Sequence, residues 1–285
     1  SGSLAISSFN FSTSDNGTHT IEQAISEVGV FSFSVSPSLS YLGETLSTES
    51  SPAIGRFYPD HFQISNQSSG AFGDNACGTF TYSGQEFTYT SSPSLTITAY
   101  NADVTPAVTQ NYTGDFVKLV ASDFIVTAPN SDANQLGADN TNLVGLSWAP
   151  AAASLTDNSN GSLDFAFGND TYNYQHLSNS LIAPFNNAVN LEFTAITDND
   201  GVQTQALPVT LQPSGEPIRF GRLAINNAHG SELVALPVTI QAEYFNGANW
   251  QQNSADQCTS LNLTTDIRLR NTATASNAWQ AGNTT

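Results

Sequence analysis

Alternation of apolar and polar residues with a period of two constrains the fold of this chain more than any other feature. It occurs in Phe31–Val35, Leu95–Ala99 and Leu191–Ala195, and these runs are rich in Phe, Thr and Val. Successive side chains of a β-strand point to opposite faces, so such runs predict half-buried strands. Asn-Gly and Asp-Gly pairs, at 16–17 and 200–201 for example, tolerate the positive φ of tight turns between strands.

These patterns predict an all-β fold of antiparallel β-sandwich modules, Ig-like or jelly-roll-like, with very little helix. The one helix predicted is short and covers Thr20–Ile25. Two prolines flank a glycine in Gln212–Pro217, which predicts a boundary there. We therefore expect a strand-rich segment at 1–53, a main sandwich at 54–212 with a long polar loop at 129–142, and a C-terminal β module at 213–285, predicted to be incomplete.

The charge balance excludes two classes of partner. The chain of 285 residues has 24 Asp and Glu but only 6 Lys and Arg, which gives a formal net charge of -18. Six scattered cations cannot form the basic stripe that displaces counterions from nucleic acid. An anionic membrane surface would repel the chain, and no apolar run approaches the ~20 residues of a membrane span.

The two cysteines, Cys77 and Cys258, are far apart in the sequence. Their spacing fits no zinc or redox motif, and two are too few for a disulfide scaffold. One disulfide formed in an oxidising compartment fits this count, and a pair of free buried thiols is the alternative.

Two acidic loops are candidate metal sites, and calcium is the cofactor they suggest. Asp198, Asn199 and Asp200 surround a tight turn between two predicted strands, and a second loop contains Asp157 and Asp164. Carboxylate and amide oxygens are the ligands that calcium prefers. Neither loop has the closing glutamate of an EF-hand, and an Asp/Asn-rich hairpin turn is the alternative.

Tyr172, Tyr174 and His176 are candidate ligand-binding residues. They lie in a polar stretch, where exposed aromatic rings could stack on a pyranose ring of a glycan. A strand whose aromatic residues cover the core is the alternative. No catalytic residues are predicted, because the sequence has no Gly-x-Ser-x-Gly elbow and singles out no pair of carboxylates.

Several segments resemble MshQ-type proteins, a family named for the mannose-sensitive haemagglutinin type IV pilus. Residues 54–62 resemble its "GRF-x-PDHF", 80–87 its "FTYMGQPF", and 111–119 its "NYTG-x-F-x-KL". Residues 219–259 resemble its "RFGRL…NAYGSELL-x-LPV…AEYWNG…W…N…DSCT". The chain departs from these motifs at Ser83 for Met, Glu86 for Pro, His229 for Tyr and Phe245 for Trp.

The resemblance covers the C-terminal region of that family and implies a secreted, envelope-associated bacterial protein linked to a pilus. It implies no catalytic residue. Arg56, Arg219 and Arg222 lie within the shared motifs, and in so acidic a chain we expect them to pair with carboxylates across strands.

Three hypotheses follow. The first is an extracellular, non-catalytic adhesin or binding module at the cell surface, pilus-associated and calcium-supported, with a cell-surface or extracellular glycan as its ligand. The second is a structural filament or pilus-assembly subunit joined to its neighbours by strand addition. The third is a hydrolase acting on polysaccharide, which the absence of a catalytic motif disfavours.

Overall fold

The computed structural model describes residues 10–36, 40–41, 44–45, 47–73, 77–129, 145–178, 181–215, 217–231, 233–270 and 279–281. Its strands up to residue 127 are β1 (Gly29–Phe31), β2 (Ser34–Val35), β3 (Ser40–Tyr41), β4 (Glu44–Thr45), β5 (Glu49–Ser50), β6 (Ile54–Phe57), β7 (His61–Ser68), β8 (Ala71–Gly73), β9 (Thr81–Tyr82), β10 (Glu86–Ser91), β11 (Ser94–Tyr100) and β12 (Phe124–Thr127).

The later strands are β13 (Leu146–Ala149), β14 (Ser154–Asp157), β15 (Ser162–Ala166), β16 (Thr171–Tyr174), β17 (Phe185–Asn186), β18 (Leu191–Ile196), β19 (Val209–Leu211), β20 (Pro217–Arg219), β21 (Gly221–Ile225), β22 (Ile240–Phe245), β23 (Trp250–Gln252), β24 (Arg268–Arg270) and β25 (Trp279–Ala281). The described helical elements are three short 3-10 turns, at Thr13–Asp15, Gly114–Phe116 and Ala121–Asp123. The all-β prediction is confirmed.

Three antiparallel sheets enclose the main core. Their strand orders are β13-β16-β10-β8, β14-β15-β11-β7 and β12-β18-β19. Phe165 on β15 stacks on Phe124 of β12 at 4.3 Å between ring centroids and meets Phe193 of β18 edge to face at 5.7 Å. Aromatic side chains from facing sheets therefore fill the space between them, as expected of a sandwich core.

Two smaller sheets follow at the C-terminal side. In the first, β17-β20-β9, β20 is parallel to β9, so that Arg219 lies beside Tyr82. In the second, β21-β22-β23 pair antiparallel. Because β20 and β21 are separated only by Phe220, the chain passes directly from the first of these smaller sheets into the second.

The predicted helix at Thr20–Ile25 is wrong. These residues have no regular secondary structure, and Ile21 is largely exposed. Six residues are too few to offset the cost of helix nucleation without an apolar face packed on the core. The long loop predicted at 129–142 lies outside the described residues, apart from Pro129.

Candidate functional site

The loop at 198–200 is a turn whose carboxylates are already engaged. Asp198 is only 5% exposed, and its Oδ1 accepts hydrogen bonds from the backbone N–H groups of Asp200 and Val202, both at 2.9 Å. The hydroxyl of Tyr112 donates to its Oδ2 at 3.2 Å. The Asp198 carboxylate therefore satisfies buried donors of its own turn and of the core.

Arg56 holds the second carboxylate of this loop. Its guanidinium donates from Nη1 to Oδ2 of Asp200 at 2.6 Å and from Nη2 to Oδ1. This bidentate bond lowers the pKa of Asp200. Asn199 turns its amide towards the carbonyl oxygen of Lys118, 3.5 Å away.

The carboxylates of Asp198 and Asp200 already accept hydrogen bonds from protein donors, which leaves them less available to a calcium ion. A guanidinium already occupies the carboxylate of Asp200, and a second cation there would be repelled. Within the ranges that the structure describes, no group of three or more His, Cys, Asp and Glu side chains could hold a metal ion. The geometry thus favours the hairpin-turn alternative for this loop.

The second acidic loop has the same character. Asp157 Oδ2 accepts from the Thr113 hydroxyl at 2.7 Å and from the Gly114 N–H at 2.8 Å, while its Oδ1 accepts from the Ser159 N–H at 2.8 Å. Burial by itself would raise the pKa of Asp157, but these three hydrogen bonds outweigh it and lower that pKa. Asp164 accepts separately from the Thr96 hydroxyl. The hydrogen bonds of Asp157 and Asp164 therefore stabilise the conformation of the loops and strands around them.

The predicted glycan platform of Tyr172, Tyr174 and His176 is wrong as an exposed surface. Tyr172 and Tyr174 are 0% and 1% exposed, because β16 turns both rings into the core. The exposed His176 stacks instead on Phe220 at 4.1 Å between ring centroids, and its Nδ1 lies 2.8 Å from the Ser83 hydroxyl. The period-two pattern places Tyr172 and Tyr174 on the same face of β16, and in the structure that face packs in the core.

Four polar side chains form what we call the junction cluster: Tyr82, Arg219, Asn253 and Asp256. Arg219 donates to Asn253 Oδ1 at 2.5 Å, and the Asn253 amide donates in turn to the Tyr82 hydroxyl. That hydroxyl donates to Asp256 Oδ2 at 3.0 Å. Burial raises the pKa of Tyr82 to about 12, so the phenol stays protonated and able to donate.

The disulfide lies next to this cluster. Cys77 and Cys258 are joined across a sequence separation of 181 residues. The Cys258 N–H donates to Oδ1 of Asp256 at 2.9 Å, which ties the disulfide to the junction cluster. Gly221 also lies there, because a Cβ at that position would come within 2.4 Å of the Tyr82 ring. Segments far apart in the sequence thus meet at one tightly packed place.

The three arginines differ in their partners. Arg56 pairs with Asp200, and Arg222 pairs with Glu243 of the neighbouring strand at 2.8 Å while covering the Trp250 ring at 3.9 Å. Within the described residues, Arg219 hydrogen-bonds to the amide oxygen of Asn253 and not to the carboxylate that we predicted. Its guanidinium lies between two aromatic rings, 4.3 Å from the Phe80 centroid and 4.8 Å from that of Tyr244.

Sequence reasoning missed a group of exposed apolar side chains on β21 and in the segment that joins β21 to β22. We call this group the apolar ribbon, and it consists of Leu223 (45% exposed), Ile225 (63%), Leu233 (87%), Val234 (70%), Leu236 (45%) and Val238 (51%). Its signal in the sequence is that residues 221–242 contain a single carboxylate, Glu232, in a strongly acidic chain.

Two family models match the chain. The model described as DUF6701, third domain, matches residues 27–224, and the model described as DUF6701, fourth domain, matches residues 219–285. No curated protein and no solved structure matches. The junction cluster and the disulfide bridge the two matched regions, since Cys77 lies in the first and Cys258 in the second.

Proposed function

The chain belongs to the DUF6701 family, and from that premise we propose that it is a non-catalytic, pilus-associated binding module at the bacterial cell surface. Its partner is a protein of a pilus or filament, and the apolar ribbon is the surface that binds it. The ribbon carries the proposal, because exposed apolar side chains grouped on one strand and the segment that follows it are characteristic of protein interaction sites. Residues 219–259, where the resemblance to MshQ-type proteins is strongest, include the whole ribbon.

The electrostatics of the ribbon support a protein partner. Arg222 and Glu232 balance each other between residues 221 and 242, so this part of the sequence has no net formal charge while the whole chain carries -18. A partner approaching the ribbon meets less repulsion than it would elsewhere on the chain. The burial of Tyr172 and Tyr174 removes the aromatic platform that favoured a glycan.

The disulfide supports a location outside the cytoplasm, since disulfides persist in oxidising compartments and are rare in the cytosol. The described residues include no helix long and apolar enough to cross a membrane. The surface location is tested by treating intact cells with a protease that cannot enter them. Loss of the protein would support the proposal, and complete protection alongside a cytosolic control would contradict it.

The geometry around Ser83 supports a non-catalytic role. Its hydroxyl contacts His176, but Ser83 is buried, and no carboxylate hydrogen-bonds to His176 within the described part of the chain. A serine nucleophile needs both access to substrate and an oriented base. Turnover of polysaccharide substrates by the purified protein would contradict this role.

Binding is tested by co-sedimentation with purified type IV pili from a bacterium that encodes the chain. We expect the wild-type protein to sediment with the pili and the double variant Leu233→Asp, Val234→Asp to remain in the supernatant. The matched control is Leu263→Asp, because Leu263 is 53% exposed and lies outside the ribbon. Equal melting temperatures would show that both variants are folded. Sedimentation of the ribbon variant at the wild-type level would refute the proposal.

A further inference from the structure

Among the described residues, β21 is the edge strand of its sheet, and its outward side carries an ordered set of hydrogen-bonding groups. The Phe245 N–H donates to the Phe220 carbonyl, and the Asn226 N–H donates to the Thr239 carbonyl. In an antiparallel pair, hydrogen-bonded and non-hydrogen-bonded residue pairs alternate along the strand. The even-numbered residues of β21 therefore form the backbone hydrogen bonds to β22. The N–H and C=O groups of Gly221, Leu223 and Ile225 therefore point away from β22, at the end of the sheet order β21-β22-β23.

We propose that a second copy of this chain adds to this edge, with β21 pairing antiparallel to β21 of its partner around a two-fold axis at Leu223. Leu223 then faces Leu223 of the partner subunit, and Gly221 faces Ile225 of the partner subunit. All three open residues form hydrogen-bonded pairs in this register. The two three-stranded sheets become one six-stranded sheet. This inference rests on the proposed function, because it names the chain itself as a partner of the ribbon.

The side chains favour the register centred on Leu223. Leu223 and Ile225 are exposed and share one face of β21, so pairing the strands also brings apolar side chains together. Arg222, on the opposite face, falls beside Ala224 of the partner subunit. Moving the axis to residue 222 would instead place the two Arg222 side chains opposite each other, and like charges directly opposite are destabilising.

The side chains and the charge of this edge fit a second copy. Leu223 and Ile225 are 45% and 63% exposed, so antiparallel pairing of β21 covers apolar side chains on both chains. The net charge of -18 makes two copies repel each other over long distances, and salt screens that repulsion. Residues 221–242 contain one arginine, Arg222, and one carboxylate, Glu232, so identical chains meet less repulsion here than the net charge of -18 would cause elsewhere.

Cysteine cross-linking tests the two-fold axis. Leu223→Cys places two cysteines about 5.5 Å apart between Cα atoms, within the range of a disulfide. The matched control is Ile225→Cys, which lies on the same edge and face but about 13 Å from its own copy in this register. Under mild oxidation of the intact chain we expect at least about ten-fold more cross-linked dimer from Leu223→Cys than from Ile225→Cys.

Sedimentation equilibrium completes the test. We expect the wild-type chain to dimerise at micromolar concentrations, more strongly at about 0.5 M than at about 0.05 M NaCl, and Leu223→Lys to be monomeric with an unchanged melting temperature. A wild-type monomer at all concentrations, or a dimer whose Leu223→Cys variant cross-links no better than the control, would overturn the proposal. If the wild-type chain is monomeric but still sediments with pili, the proposed dimer alone is refuted. If it dimerises but does not sediment with pili, the proposed function alone is refuted.

Discussion

Replacing Arg219 with alanine is expected to destabilise the chain more than replacing Arg56 or Arg222 with alanine. The guanidinium lies between the rings of Phe80 and Tyr244 and donates to the amide oxygen of the buried Asn253. Each cation–π contact contributes about 0.5–2 kcal/mol, depending on how far water is excluded. Leaving the Asn253 oxygen without a donor costs about 1–3 kcal/mol more. These contributions sum to about 2–7 kcal/mol, and we expect a loss in free energy of unfolding near the middle of that range, about 3–5 kcal/mol.

The matched control is Arg222→Ala. Arg222 also covers an aromatic ring and binds a carboxylate, but its side chain is 46% exposed, so water screens both interactions. Its replacement should cost about 1 kcal/mol. The two variants remove the same charge and differ chiefly in the burial of the contacts that are lost.

Urea unfolding of the oxidised chain, followed by tryptophan fluorescence, measures both values, and differential scanning calorimetry provides an independent comparison. At about 2–4 °C per kcal/mol, a loss of about 3–5 kcal/mol means that Arg219→Ala should melt roughly 6–20 °C below wild type. Arg219→Lys should recover only part of the loss, because an ammonium lacks the planar surface that stacks between rings. If the free energies of unfolding of Arg219→Ala and Arg222→Ala differ by less than about 1 kcal/mol, burial does not strengthen the contacts of Arg219 as we expect.

Three further perturbations follow from the same contacts. Replacing both Cys77 and Cys258 with serine should lower the free energy of unfolding by about 2–5 kcal/mol, because the disulfide closes a very long loop in the unfolded chain; an unchanged urea midpoint would contradict this. Arg56 lowers the pKa of Asp200 in the folded state, so this pair contributes stability that is present above the ordinary carboxyl pKa of about 3.9 and is lost as the pH falls below it. Unfolding measured from about pH 5 to 2 should therefore show a smaller acid-induced loss for Asp200→Asn than for wild type, and parallel curves would argue against the pair. Because the carboxylates of Asp198 and Asp200 are already engaged, adding millimolar calcium or a chelator should leave the melting temperature unchanged, and a rise with calcium would restore the metal hypothesis for that loop.

The described strands follow patterns that the sequence displays locally. Alternation in Leu95–Ala99 and Leu191–Ala195 predicts strands, and β11 and β18 contain these residues. The pattern also places Tyr172 and Tyr174 on one face of a strand, but periodicity does not say whether that face meets solvent or a second sheet. Burial is decided by which sheets pack together, and here β16 belongs to a sheet that faces the core.

The sequence by itself determined the all-β class and the stretches where the family-like motifs lie, because each depends on composition or on residues close together in the chain. Only the tertiary structure decided that Tyr82, Arg219 and Asn253 form one hydrogen-bonded cluster beside a disulfide, that Arg219 contacts aromatic rings, and that β21 is the edge strand of its sheet among the described residues. These features join segments separated by up to 181 residues. Their energies depend on burial and on distances of a few ångströms, which no local pattern specifies.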